Sequence, residues 1–133
     1  MIITDKRFNI DQKSIIKAVK RSLPAKSTLH KDLNIIYCND RVIADLNRRF
    51  KFKDGVTDVL AFNLDDQIDY AVMGEIYIDL QQARRQAAEN KVSFMEEVTR
   101  LTIHGVLHLL GYRDDTTGRR KKMWALQEKY LFK

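Results

Sequence analysis

The stretch from Ser93 to Gly111 constrains this chain more than any other part of it. Ser93 and Glu96 have the spacing of a capping box, in which a hydroxyl and a carboxylate three residues apart satisfy amide donors at a helix start. Phe94, Val98, Leu101, Leu107 and Leu110 then fall on or near one face at helical spacing. Gly111 is a natural stop, because glycine takes the left-handed conformation without a Cβ clash. The segment predicts the most apolar helix of the chain, and two of the three histidines, His104 and His108, lie within it.

The remaining elements can be read around that helix. Ile2, Ile3 and Thr4 form a short β-type run. Asp11 can cap a helix with Ile15, Ile16, Val19 and Leu23 on its apolar face, ending at Pro24. Leu33 to Cys38 is an apolar, β-branched strand, and Asp40 can cap a helix carrying Ile43, Leu46 and Phe50. Val59 to Leu64 and Val72 to Ile78 are two further strands; in the second, Val72, Gly74, Ile76 and Ile78 alternate with Met73, Glu75 and Tyr77. Asp79 caps a helix running to about Asn90, with Gln82 placed to complete a capping box. A last helix begins near Thr117 and turns Met123, Leu126, Tyr130 and Leu131 inward. The order β-α-β-α-β-β-α-α-α predicts an α+β fold: a mixed sheet of about four strands against about five helices. With 133 residues, one proline and no linker-like segment, a single domain over residues 1–133 is expected.

His104 and His108 are four residues apart, so both imidazoles share one helix face and can reach one ion. Gly111, three residues on, lets the chain turn back, and Asp114 lies three residues beyond that. This is the spacing H-x-x-x-H-x-x-G-x-x-[H/D] of the metzincin proteases. A lone His-x-x-x-His pair is weak evidence, but burying two imidazoles in the most apolar helix without a role is costly. The predicted metal site at the end of this helix is therefore His104, His108 and Asp114. Three protein ligands with an open position mark a catalytic zinc site rather than a structural one. Zincin proteases place glutamate directly after the first histidine as general base. Gly105 stands there instead, so proteolysis is disfavoured.

His104 to Tyr112, reading HGVLHLLGY, resembles the signature of the YbeY family. Leu46 to Phe50, Thr57 to Phe62, Met73 to Ile76 and Met123 to Glu128 resemble further segments of that family, in the same order across roughly residues 33 to 131. The resemblance implies a metal-dependent endoribonuclease linked to ribosomal RNA maturation. Three positions depart from the pattern: Asp114 where the third ligand is usually histidine, Lys51 where an active-site arginine is usual, and Val56 in place of a proline. Lysine keeps the charge but loses the bidentate fork for phosphate, so the implied catalytic role of Lys51 is that of a point charge. Zinc, one ion per chain, is the implied cofactor, and oxygen ligation by Asp114 makes a harder ion such as manganese more competitive. Asp58 and Glu75 are placed to approach the metal or to serve the fold, and the residues do not decide between these.

Composition agrees with an RNA partner. The net charge is +6 and the pI about 9.5, which favours polyanions. Arg48, Arg49, Lys51 and Lys53 surround Phe50 and Phe52; Phe50 is expected in the core and Phe52 is left open. Arg84 with Arg85, and Arg119 to Lys122, read as solvated helix faces or as contacts to RNA. His30 lies in a polar loop and is given no role. Cys38, the sole cysteine, excludes an intrachain disulfide and a cysteine zinc cluster, and its apolar strand predicts a buried residue. No apolar run reaches membrane-spanning length, and the first residues lack a signal-type apolar segment, so cytoplasmic location is expected. The leading reading is a single-strand-preferring endoribonuclease acting on ribosomal RNA of the small subunit, with the ribosome as partner. The alternatives are a non-catalytic ribosome-assembly factor with a structural metal, and another metal-dependent hydrolase.

Overall fold

The computed structural model describes residues 2–4, 7–24, 33–51, 58–63 and 74–132. Its elements run β1 (Ile2–Ile3), α1 (Gln12–Ser22), β2 (Leu33–Cys38), α2 (Asp40–Leu46), a π-helical turn (Asn47–Lys51), β3 (Val59–Asn63), β4 (Gly74–Asp79), α3 (Leu80–Asn90), α4 (Phe94–Leu109) and α5 (Thr117–Leu131). This is the expected order. The sheet order is β1-β2-β4-β3, with β1, β2 and β4 parallel and β3 antiparallel to β4, so the sheet is mixed as expected.

Alternation along the strands decides what covers each face. Leu33, Ile35 and Tyr37 of β2 and Ile76 and Ile78 of β4 point to one side and join the main core with Ile15 and Val19 of α1 and Val98, Val106 and Leu109 of α4. Ile36, Tyr77, Leu60 and Phe62 belong to a smaller cluster on the other side, closed by Ile43 and Leu46 of α2. A third cluster joins α4 to α5 through Ile103, Leu107 and Met123, with Leu126, Tyr130 and Leu131 packed against it as the inward stripe predicts.

Helix α4 lies close against the sheet because two glycines allow it. A Cβ at Gly105 would stand 2.6 Å from Ile76 Cγ2, and one at Gly74 would stand 2.8 Å from Leu109 Cδ1. Beneath the helix, the Tyr37 and Thr102 hydroxyls share a hydrogen bond of 2.7 Å. Burial pushes the Tyr37 phenol above its ordinary pKa. The guanidinium of Arg100, 8% exposed, reaches Glu97 at 2.7 Å and Glu128 at 2.9 Å, which ties α4 to α5. A buried charge held by several carboxylates in this way fixes the two helices in register.

Several expectations needed correction. The cap of α2 is Asn39, whose side chain accepts from the Val42 amide; Asp40 is the first helical residue and pairs instead with Arg85 at 2.7 Å. Asp79 accepts from the Gln81 and Gln82 amides, but Gln82 turns its own side chain to Arg85, so the box is not reciprocal. Glu96 likewise turns forward to Arg100. Ile16 and Phe50 are exposed at 42% and 58% rather than buried; Phe50 meets Phe62 edge-on from outside the sheet. Helix α3 ends at Asn90 as expected, with Lys91 as its cap in the left-handed region at φ 56°. Cys38 is buried as expected. His30, Phe52, Lys53, Val56, Thr57, Leu64, Val72 and Met73 lie outside the described residues, as does the side chain of Lys51.

Candidate metal centre

Helix α4 places His104 and His108 one turn apart, both half-buried, on the edge that faces α5 and the turn after Leu109. Gly111 adopts φ 100°, the left-handed conformation its position requires. The Gly111 amide donates to the His108 carbonyl and the Tyr112 amide to the Leu107 carbonyl, so the chain folds back across the helix end. That reversal delivers Asp114 to the two imidazoles. His104 Nε2 and His108 Nε2 are 3.0 Å apart, and each is 3.6 Å from Asp114 Oδ2. The three residues form the group among the described residues able to hold a metal ion.

The partners of the other ring nitrogens show which atoms are offered. His108 Nδ1 lies 3.2 Å from the Tyr112 carbonyl oxygen, which only accepts, so Nδ1 carries the proton. His104 Nδ1 lies 2.8 Å from Gln127 Oε1, a residue of α5 that is 3% exposed. Both imidazoles are thus held as the tautomer whose Nε2 presents a lone pair toward the same point. Two lone pairs and a carboxylate oxygen converging at this separation repel one another unless a cation lies between them. Ligand atoms about 2.0–2.1 Å from a tetrahedral zinc ion are about 3.3 Å apart, and the observed separations bracket that spacing. The donor set therefore fits a divalent transition ion with an open position.

Two cavities flank the triad. One, of 380 Å³, has His104, Asp114 and Gln127 on one side and Asp58, Gln86 and Glu89 on another. The second, of 500 Å³, runs between Val59 and Ala61 of the edge strand β3 and His108, Tyr112 and Arg113. Asp58 thus stands at the first cavity, where its Oδ2 accepts from Gln86 Nε2 at 3.2 Å. Glu75 lies on β4 opposite Phe62 and lines neither cavity. Lys51 closes the π-helical turn that follows α2, the kind of helix irregularity often found at functional sites.

Position 105 also explains the missing glutamate. Gly105 faces Ile76 and Val59 of the sheet, so its place on the helix points into the core and away from the triad. A side chain there has no route to the Nε2 atoms without displacing α4. Gln127, Arg120 and Tyr112 were not singled out as site residues from the sequence. Gln127 did leave a signal: it is a polar residue on the inward stripe that holds Met123, Leu126 and Tyr130. Arg120, whose Nη1 donates to the Asp114 carbonyl oxygen at 3.4 Å, sits in a basic run that reads as a solvated face or an RNA contact and does not single it out.

Known proteins match this chain along most of its length. The family model described as Endoribonuclease YbeY matches residues 2–133. Proteins of that name from Persephonella marina and Aquifex aeolicus are 34% and 32% identical, over 90% and 98% of this chain and 81% and 88% of their own length. One from Chloroherpeton thalassium is 33% identical over 92% of this chain and 85% of its own. The solution structure of a Thermotoga maritima protein aligns with a TM-score of 0.58 at 29% identity, covering 98% of this chain and 87% of that one. The chain belongs to the Endoribonuclease YbeY family.

Proposed function

We propose that this protein is a metal-dependent endoribonuclease that cuts single-stranded RNA, with one zinc ion held by His104 Nε2, His108 Nε2 and Asp114 Oδ2. The convergence of these three atoms, with both Nδ1 atoms anchored elsewhere, is the observation that carries the reading. A group of three donors, rather than a closed set of four, favours catalysis over a structural role. When bound, such an ion lowers the pKa of water in its open position and offsets charge on phosphate oxygens. The residues around it position the strand. Lys51, at the end of the π-helical turn, supplies a point charge for phosphate, and Arg113 on the rim of the cavity beside His108 supplies another. The cavities on either side of the triad give a strand room to pass across it.

The substrate is ribosomal RNA of the small subunit, met on the ribosome in the cytoplasm during maturation. Family membership, the net charge of +6 and the basic clusters support this, and among the described residues no helix is long and apolar enough to cross a membrane. The test sets wild type beside His108→Ala, with bound metal quantified in both. About one metal per chain and cleavage of single-stranded RNA, both lost in a folded variant, is the expected result. A wild type that never cuts RNA, beside a variant that loses metal and unfolds together, makes the ion structural.

A further inference from the structure

The cavity on the His104 side is built from three helices, each contributing a stripe at helical spacing. Helix α4 gives Leu101 and His104, α3 gives Gln86, Glu89 and Asn90, and α5 gives Arg120, Trp124 and Gln127. Its 380 Å³ falls within the range of about 300–1,000 Å³ for small-molecule sites. Trp124 lines it yet stays 57% exposed, an unusual state for the largest apolar side chain. Arg120, one turn earlier on α5, is held at the mouth by donating to the Asp114 carbonyl oxygen and to Thr117 Oγ1. The rest of the polar wall joins the carboxylates of Asp58 and Glu89 to the amides of Gln86, Asn90 and Gln127, and its charge is acidic, because that of Arg100 is already matched by Glu96, Glu97 and Glu128.

We propose that this cavity seats one unpaired base of the RNA strand, stacked on Trp124, and prefers a base bearing an exocyclic amine. The proposal rests on the endoribonuclease reading for its ligand. An exposed indole beside a cation is the platform on which unpaired bases stack. Carboxylates repel phosphate but accept hydrogen bonds from base amines, as Asp and Glu do from cytosine N4. The wall thus favours adenine, cytosine or guanine over uracil, while Arg120 meets the adjoining phosphate at the mouth. Because His104 and Asp114 line the same cavity, the seated base is next to the metal ligands, and the seat fixes which phosphate reaches them.

Trp124 is the sole tryptophan, so its fluorescence reports on this cavity alone. The experiment titrates the full chain, in chelator so that no strand is cut, with oligoadenylate, oligocytidylate and oligouridylate. Saturable quenching by the first two at lower concentration than by the third is expected. Trp124→Ala should weaken binding of labelled oligoadenylate roughly 5- to 150-fold, and Trp124→Phe should recover most of that loss. Absence of saturable quenching, or an alanine variant that binds like wild type, overturns the seat. Equal quenching by adenylate and uridylate overturns the amine preference. Quenching by a protein that cuts no RNA once metal is restored upholds the seat and sinks the nuclease reading; cutting with metal but no quenching in chelator overturns the seat alone.

Discussion

Gln127→Leu isolates what α5 contributes to the metal centre. Leucine has nearly the volume of glutamine, and position 127 is 3% exposed, so packing is largely kept. What disappears is the acceptor 2.8 Å from His104 Nδ1. The cost to folding is small: the His104 side chain is 25% exposed, so water can replace the lost partner, and about 1 kcal/mol at most is at stake. The cost to metal binding is larger, because the imidazole is then free to rotate or to place its proton on Nε2. Loss of an outer hydrogen bond of this kind weakens metal affinity about 10- to 100-fold. That is about 1.4–2.7 kcal/mol, and it should appear as a smaller rise in thermal stability when zinc is added. Competition against a chromophoric chelator measures the affinity directly. Gln127→Glu keeps an acceptor and should hold zinc within about threefold of wild type. If the leucine variant binds zinc as tightly as wild type, Gln127 does not set the tautomer. If the glutamate variant loses as much as leucine, the amide was donating rather than accepting, and the orientation of His104 argued above is wrong.

Gly105→Ala places a Cβ 2.6 Å from Ile76 Cγ2 and 3.3 Å from Val59 Cγ2. Overpacking outweighs the gain in helix propensity, for a net loss of about 1–2 kcal/mol, and a thermal melt equal to wild type would refute it. Asp79 is fully enclosed, and burial first, then the neighbouring Asp40 carboxyl, raises its pKa to about 7. The folded state therefore holds this proton more tightly than the unfolded chain; its contribution to stability is complete below about pH 4 and is lost as pH rises through about 7. Asp79→Asn keeps an acceptor for the Gln81 and Gln82 amides and should flatten that dependence, gaining about 1–2 kcal/mol on wild type between pH 5 and 8 in urea unfolding. Parallel stability curves would count against it. Asp114→His should make manganese less competitive against zinc, read by competition between the two ions, and an unchanged preference would show that the third donor does not choose the ion.

The fold was readable where local chemistry and tertiary packing agree. Leu33 to Cys38, the start of α1 at Asp11 and the stop at Gly111 each have a mechanism that acts within a few residues, and each appears where expected. Phe50 failed because its helix widens into a π-helical turn, which rotates the residue off the face that Ile43 and Leu46 share. The reciprocal boxes at Gln82 and Glu96 failed because arginines one turn away offer stronger partners than an exposed amide does. His104, His108 and Asp114 could be read as a set because glycine and spacing alone bring them together. Gln127 could not be assigned to His104 without the packing of α5 on α4, since the two are 23 residues apart.

The anchoring of the three side chains also bears on how the centre is assembled. His104 is held through the core of α5, and His108 through a carbonyl of the turn that follows its own helix. Asp114 is steadied through its backbone, which accepts from Arg120 at the start of α5. The helix end, the turn and α5 must therefore all be folded before the three donors meet, and the Arg100 carboxylate cluster that binds α4 to α5 is part of what brings them together. On the proposed metal reading, the anchors already set the tautomers and hold the loop, so an ion would relieve the repulsion among the three donors without having to order the chain that carries them. The same arrangement places α5 on two tasks at once, orienting His104 through Gln127 and forming the cavity wall through Trp124 one turn away. Substitutions at position 127 should then act on the ion, and those at position 124 on the strand, although both come from one helix.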